Sequence, residues 1–270
     1  MGPLAFVRSL LRLLAGKPNV PASLKENALL QVIYHRRSIR SFTDQPVSED
    51  VFAAILEAGR LAPSTVNLQS WSFAVFTSDT WRQTFGHSIP FRAQRAVILL
   101  GDMHRVRALV TNFPESSLVD YTTAVMNASL AAMNMNLAAE ALGISSVMLS
   151  ETGRSGLLDA AYLKETLCLP EKVFPILTIV FGHARGLYPP MPPKLPLQTV
   201  CFQGKYKEAD RPVMEDWLAQ MVAGYKVGHI SSSFDAQLKV YQGKIGKAEA
   251  DLENMVYSGP PGRDHRVQQE

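Results

Sequence analysis

The stretch Tyr34-His35-Arg36-Arg37-Ser38-Ile39-Arg40-Ser41-Phe42 sets three arginines within five residues, interleaved with serine, where a helical pattern gives way to an extended one. A guanidinium is a planar donor fork suited to phosphate, and a serine hydroxyl adds another donor. On charge alone the same residues also suit a solvated helix end, whose cations balance the helix dipole. Upstream, residues 24–36 alternate apolar and polar at helical spacing, with Ser23 as the expected cap. Downstream, Ser48 heads a second helix with Glu49 and Asp50 in its first turn and Val51, Ile55 and Leu56 facing inward. Pro63 stops that helix near residues 59–62. The chain then runs through Ala62-Pro63-Ser64-Thr65-Val66-Asn67-Leu68-Gln69-Ser70-Trp71 into a strand. Hydroxyls and amides so placed serve either a planar heterocycle with many donors and acceptors or an ordinary capped turn with an aromatic anchor.

Further along, residues 71–77, 96–100, 144–149 and 176–181 have strand character, and the run Ala96 to Leu100 reads as a buried strand. Helices are expected between them, at 79–86, 120–142 and 155–168. Strands alternating with helices indicate an α/β or α+β layered fold. Pro189, Pro190, Pro192, Pro193 and Pro196 then stiffen an extended arm, and residues 211–227 and 234–256 read as peripheral helices. The expected organisation is an N-terminal helical extension over 1–22, one domain over 23–256 with residues 210–256 peripheral, and a flexible tail over 257–270.

Composition excludes several classes. Of 270 residues 47% are hydrophobic and 19% charged, which excludes a disordered chain. A net charge of +3 is far from the basic stripe of a dedicated nucleic-acid binder. Cys168 and Cys201 supply neither a disulfide framework nor a four-ligand zinc site, and the histidines show no metal spacing, so no metal is expected. A reducing, cytoplasmic location is the simplest expectation, with a single bridge between the two cysteines as the alternative. The segment from Tyr121 to Ala139 carries no charge, yet Asn127, Asn134 and Asn136 within it argue for a core or subunit-interface helix and against a membrane span. At the N-terminus, Phe6, Val7, Leu10, Leu11 and Leu14 share one helical face, while Arg8 and Arg12 break the apolar run of a signal peptide. That pattern suits a docking helix, with a membrane-surface helix as the second reading.

Arg36-Arg37-Ser38-Ile39-Arg40-Ser41-Phe42, followed by Ala62-Pro63-Ser64 and Asn67-Leu68-Gln69-Ser70-Trp71, resembles the FMN-dependent nitroreductase family. Gly143-Ile144 and Gly182-His183 with the later prolines are similar to that family's helix-to-strand turn and arm, so the resemblance runs over about residues 27–210. The branch it resembles is the NADPH-preferring nitroreductase and flavin reductase group. The resemblance implies an α+β three-layer fold, a central mostly antiparallel sheet flanked by helices, and a domain-entwined homodimer with its sites at the interface.

It also implies a set of cofactor-binding residues. Arg36, Arg37, Ser38 and Arg40 correspond to the motif that holds the FMN phosphate and the polar ring edge. Pro63, Ser64 and Thr65 correspond to the loop along the flavin, and Asn67 and Gln69 to polar positions presented across the subunit boundary. Gln94 resembles a ribityl contact. Leu149, Ser150 and Glu151 fall where backbone amides approach the reactive ring edge, and Lys194 where the arm supplies a basic group to the phosphate. Two departures stand out: Ser150-Glu151 replaces a glycine pair, and the arm lacks a second basic residue ending in arginine. The implied activity is ping-pong transfer of hydride from NADPH or NADH, through tightly but non-covalently bound FMN, to a nitroaromatic, quinone or free flavin. No catalytic side chain is needed, and no nucleic acid or stable membrane insertion is expected. The alternatives are another reaction on the same scaffold (dehalogenation, enoyl-type reduction or flavin breakdown) and a non-catalytic FMN-binding module.

Overall fold

The apolar run expected over 96–100 is an inner strand of the sheet, and its burial explains its composition. The computed structural model describes residues 2–15, 18–110, 112, 114–152, 159–228 and 233–257. Its strands are β1 (Trp71–Thr77), β2 (Arg95–Asp102), β3 (Ser145–Leu149) and β4 (Val173–Gly182). They form one sheet in the order β1-β2-β4-β3, with every neighbouring pair antiparallel. Trp71 stands opposite Gly101, Arg95 opposite Phe181 and Ser145 opposite Gly182. The register slips between Leu99 and Leu100, where Pro175, which has no N–H for the ladder, stands opposite Leu100.

The helices are α1 (Pro3–Ala15), α2 (Ala28–His35), α3 (Glu49–Arg60), α4 (Ser78–Phe85), α5 (His104–Leu109), α6 (Ser117–Ala141), α7 (Ala160–Thr166), α8 (Leu197–Val200), α9 (Arg211–Gly228) and α10 (Phe234–Tyr257). Tertiary contacts divide the chain into two units. Residues up to Tyr34 and Tyr188–Gly243 form the first; His35–Leu187 and the chain from Lys244 onward form the second.

The sheet belongs to the second unit and is covered on both faces, giving the three layers the resemblance implied. Val97 and Leu99 pack with Phe52 and Ile55 of α3 and Ala128, Ala132 and Met135 of α6. Ala96, Ile98 and Leu100, on the alternate face, pack with Phe76, Trp81, Phe85 and Leu163 of α7. A strand buried on both sides has no polar face to show, so β2 reads as continuously apolar. Helix α6 lies close enough to β2 that a Cβ on Gly101 would meet the Ala124 Cβ at 2.7 Å. Small residues at Ala124, Ala128, Ala131 and Ala132 permit that approach.

Local signals set most helix ends. The Ser48 Oγ accepts from the Val51 N–H at 3.4 Å and starts α3, which stops at Arg60, ahead of Pro63. One expectation is corrected: residues 22–24 form a 3-10 turn, and α2 begins at Ala28 with Asn27, not Ser23, as its cap. The Asn27 Oδ1 accepts from the Leu30 N–H at 3.0 Å. Of the helix expected over 155–168, residues 160–166 are helical, while its first part, Gly153 and residues 258–270 lie outside the described residues. Among the described residues, no helix is long and apolar enough to cross a membrane.

Candidate functional site

Helix α2 ends at His35, and the basic segment that follows attaches to the open edge of β3. Ser38 bridges Ser146 in parallel, and the Ile39 N–H donates to the Ser146 carbonyl at 3.1 Å. Beyond it, the Thr43 N–H donates to His183 O at 2.8 Å, and the Arg185 N–H to Ser41 O at 2.9 Å. Ile39 and Phe42 are buried, which fixes the faces their neighbours present. Arg36 and Ser38 are half-buried and Arg40 is exposed. Arg37 is buried, and its Nη1 donates to His35 O at 3.0 Å and Arg36 O at 2.8 Å. Burial lowers its pKa, the charge of Arg36 lowers it further, and Glu140 opposes both. Arg37 therefore braces the segment from inside. Arg36 and Arg40 have no carboxylate partner among the described residues. Two uncompensated guanidinium groups with a hydroxyl between them are a donor set that fits a phosphate monoester dianion.

Gln94 joins this end of the sheet. Its N–H donates to Phe181 O at 2.9 Å, and its side-chain amide reaches Thr43 O at 3.4 Å and Arg92 O at 3.3 Å. Leu149, Ser150 and Glu151 close β3 a few residues beyond the Ser38 bridge. Leu149 and Glu151 are half-buried and Ser150 is exposed. The Glu151 Oε2 lies 3.5 Å from Lys244 Nζ of α10, so this carboxylate is drawn toward the C-terminal helix. Behind them, the Thr152 N–H and Oγ1 donate to the Asp159 carboxylate at 3.1 and 2.9 Å.

The loop at 63–69 is held in a high-energy shape. Val66, Asn67 and Gln69 have φ of 48°, 57° and 49°, in the left-handed region that costs non-glycine residues about 1 kcal/mol or more each. Val66, a β-branched residue, is 88% exposed as well. The anchor is Asn127 of α6, 1% exposed, whose Oδ1 accepts from the Thr65 N–H at 3.1 Å and the Thr65 hydroxyl at 3.2 Å. Its amide donates to Ser70 Oγ at 2.7 Å, and the Ser64 Oγ accepts from the Gln69 N–H at 3.0 Å. Pro63, Thr65, Asn67 and Gln69 are exposed and Ser64 is half-buried.

This loop and the basic segment sit at opposite ends of β2. The Asp102 N–H donates to Ser70 O at 2.9 Å at one end, and Gln94 stands just before Arg95 at the other. Eight residues of strand at about 3.3 Å each put roughly 25 Å between them. One chain thus groups Arg36, Arg37, Ser38, Arg40 and Gln94 at one end of β2 and holds Pro63 to Gln69 at the other, while Leu149, where β3 ends, is level with Ile98 midway along β2. Lys194 belongs to the other unit. It is exposed on the proline arm and borders a cavity of about 540 Å³ walled by Leu13, Pro193, Val213 and Trp217. Trp217 Nε1 donates to Pro193 O at 3.3 Å, which pins the arm to α9.

Sequence reasoning missed the supports of this architecture. Asn136 of α6 accepts from the buried Ser146 hydroxyl at 2.7 Å, fixing β3 where Ser38 attaches, and the Asn134 amide donates to Ala58 O of α3 at 3.1 Å. The signal was visible as amides recurring in an uncharged helix.

The basic segment, the loop and all four strands fall between residues 33 and 183, and the nitroreductase family model matches residues 33–88 and 79–183. The chain belongs to the nitroreductase family. It is 30% identical over 199 residues to the FMN reductase [NAD(P)H] of Bacillus subtilis, covering 68% of this chain and 76% of that one. Solved structures of the same fold include NfrA2 of Bacillus megaterium, with a TM-score of 0.72 at 21% identity over 86% of this chain and 98% of the other. The NADPH:FMN oxidoreductase from Vibrio harveyi has a TM-score of 0.68 at 22% identity, over 85% and 98%. A four-stranded antiparallel sheet with helices on both faces is thus the nitroreductase fold.

Proposed function

We propose that this nitroreductase-family chain is an FMN-dependent oxidoreductase that takes electrons from NAD(P)H and reduces a nitroaromatic, a quinone or free flavin. Family membership and relatives named as NAD(P)H-dependent FMN reductases support it. The observation that carries it is the uncompensated Arg36 and Arg40 pair flanking Ser38 at the β3 edge.

In this reading Arg36, Ser38 and Arg40 hold the FMN phosphate, and Arg37 shapes the backbone that presents them. Gln94 hydrogen-bonds the ribityl chain. The backbone amides of Leu149, Ser150 and Glu151 face the reactive ring edge, and Lys194 adds a cation for the phosphate. Bound FMN supplies the redox chemistry, carrying hydride from the nicotinamide to the acceptor. The chain itself supplies binding, orientation and a positive electrostatic field, so no side chain has to act as nucleophile or general base.

Pro63, Ser64, Thr65, Asn67 and Gln69 complete the site of a second copy, making the enzyme a domain-entwined homodimer. The roughly 25 Å separation along β2 supports this, because one chain holds its own loop away from its own basic segment. An apolar stripe on α6 supports it as well: Met126, Leu130 and Met133 are 55%, 45% and 39% exposed. Such a stripe is an interaction face. We assign the enzyme to the cytoplasm, in keeping with Cys168 and Cys201, both free and exposed.

The test is the visible spectrum of the purified protein under anaerobic NADPH and then NADH. The expected result is a yellow protein that bleaches and recovers with a nitroaromatic or quinone. A colourless protein that does not take up FMN refutes the cofactor assignment, and a yellow one that neither nicotinamide bleaches refutes the activity.

A further inference from the structure

Helix α1 has two apolar faces, and one of them is uncovered. In the first unit its inner face docks on α9. Leu13 is buried, and a Cβ on Gly224 would lie 3.3 Å from its Cδ2. The Lys226 ammonium sits 5.5 Å from the centre of the Phe6 ring, and Arg12 pairs with Asp216. On the opposite side Leu4, Val7, Leu11 and Leu14 are 88%, 52%, 62% and 59% exposed. At about 3.6 residues per turn these four fall within an arc of roughly 80°, a continuous stripe. Docking therefore splits the apolar set expected on a single face.

Charge identifies what meets the open stripe. Arg8 is exposed beside it and forms no ion pair among the described residues. Residues 1–25 contain Arg8, Arg12, Lys17 and Lys25 and no acidic residue. A second copy of α1 laid on this face would oppose cation to cation. An anionic bilayer presents opposite charge to the arginines and an apolar boundary to the leucines. We propose that α1 is a reversible membrane-surface anchor, fixed to α9 through Phe6 and Leu13 and laid on anionic lipid through Leu4, Val7, Leu11 and Leu14. With 13 residues the helix is about 20 Å long, so it lies in the interface and does not span it.

The test is co-sedimentation of the full-length, flavin-loaded protein with vesicles of phosphatidylcholine, with and without phosphatidylglycerol. Binding is expected to the mixed vesicles at low salt, to weaken about tenfold on pure phosphatidylcholine, and to fall as salt rises. Changing Leu11→Glu and Leu14→Glu together should abolish it while flavin absorbance and nicotinamide oxidation persist, since both side chains face solvent. Arg8→Glu, which leaves the stripe whole, should weaken binding about tenfold and serves as the readout if the double variant does not fold. No sedimentation with the mixed vesicles, or unchanged sedimentation of the variants, overturns the proposal. So does a drop in solution mass of the double variant, which would assign the stripe to a second copy.

Discussion

Replacing Asn127 by alanine removes a side chain that ties the strained 63–69 loop to α6. Three hydrogen bonds go with it: from the Thr65 N–H at 3.1 Å, from the Thr65 hydroxyl at 3.2 Å, and to Ser70 Oγ at 2.7 Å. Each contributes about 1 kcal/mol net, and a Thr65 N–H left without its acceptor adds roughly 0.5–1 kcal/mol. The total is about 3.5 kcal/mol. With an unfolding entropy of about 2.1 cal/mol/K per residue over this chain, the melting temperature should fall by roughly 6 °C. Thr65→Val, which removes a single bond at nearly constant volume, should lower it by roughly 2 °C. Calorimetry of the three proteins gives the stability series, and fluorescence titration gives the FMN dissociation constant. Freed from its anchor, the loop relaxes from positive φ at Val66, Asn67 and Gln69. Because it is proposed to complete a partner's flavin site, FMN affinity should fall about tenfold, equivalent to roughly 1.4 kcal/mol. An Asn127→Ala protein that melts within about a degree of the parent would refute the argument that this amide holds the loop.

Other perturbations test separate links. Arg40→Ala removes a charge-assisted phosphate contact of about 1.5–3 kcal/mol, so FMN should bind roughly ten- to a hundred-fold more weakly; unchanged affinity would unseat the placement of the basic segment. Leu130→Glu puts a carboxylate in the exposed stripe of α6, and size-exclusion chromatography should show monomer with diminished flavin; a flavin-replete dimer would rule out that stripe as the subunit contact. Gly101→Ala sets a methyl 2.7 Å from the Ala124 Cβ and 3.2 Å from its carbonyl carbon, forcing α6 off β2 at a cost of about 1–3 kcal/mol. Gly59→Ala meets first the flexible thioether arm of Met135, with no backbone atom among its three nearest neighbours, and should be the milder change on the same thermal scale. Burial raises the pKa of Tyr121, which stacks edge-on against Phe174 at 5.2 Å. Above pH of about 10 the unfolded phenol ionises while the folded one keeps its proton, so stability is unaffected at neutral pH and declines as pH rises through the alkaline range. Tyr121→Phe should flatten part of that decline, and identical slopes for the two proteins would contradict it.

What was legible in the sequence was local. Ser48 as a cap, Pro63 as a stop, the apolar run of β2 and the junction of α2 with an extended basic segment each rest on residues adjacent in the chain. The Ser23 expectation failed for the same reason that the others held. Ser and Asn are both good caps, and the choice between them went to Asn27, where a 3-10 turn at 22–24 leaves the helix to begin. The three asparagines of α6 show the opposite case. By residue type they are polar interruptions of an apolar helix, yet Asn127, Asn134 and Asn136 bond the 63–69 loop with Ser70, α3 and β3 respectively. Two of those partners lie 57 and 76 residues away, and no spacing rule connects them.

The sequence by itself determined a layered fold of α/β or α+β type, the motifs that resemble the family and through them imply α+β, and the residue types able to hold a phosphorylated heterocycle, because periodicity, caps and motif chemistry act over a few residues. Tertiary structure alone decided where those residues stand. Sheet order puts β3 at the edge that Ser38 joins, antiparallel register sends the basic segment and the strained loop to opposite ends of β2, and docking on α9 divides one apolar helix into a buried and an open face. Each of these depends on contacts between residues far apart in the chain, and only closing the fold creates them.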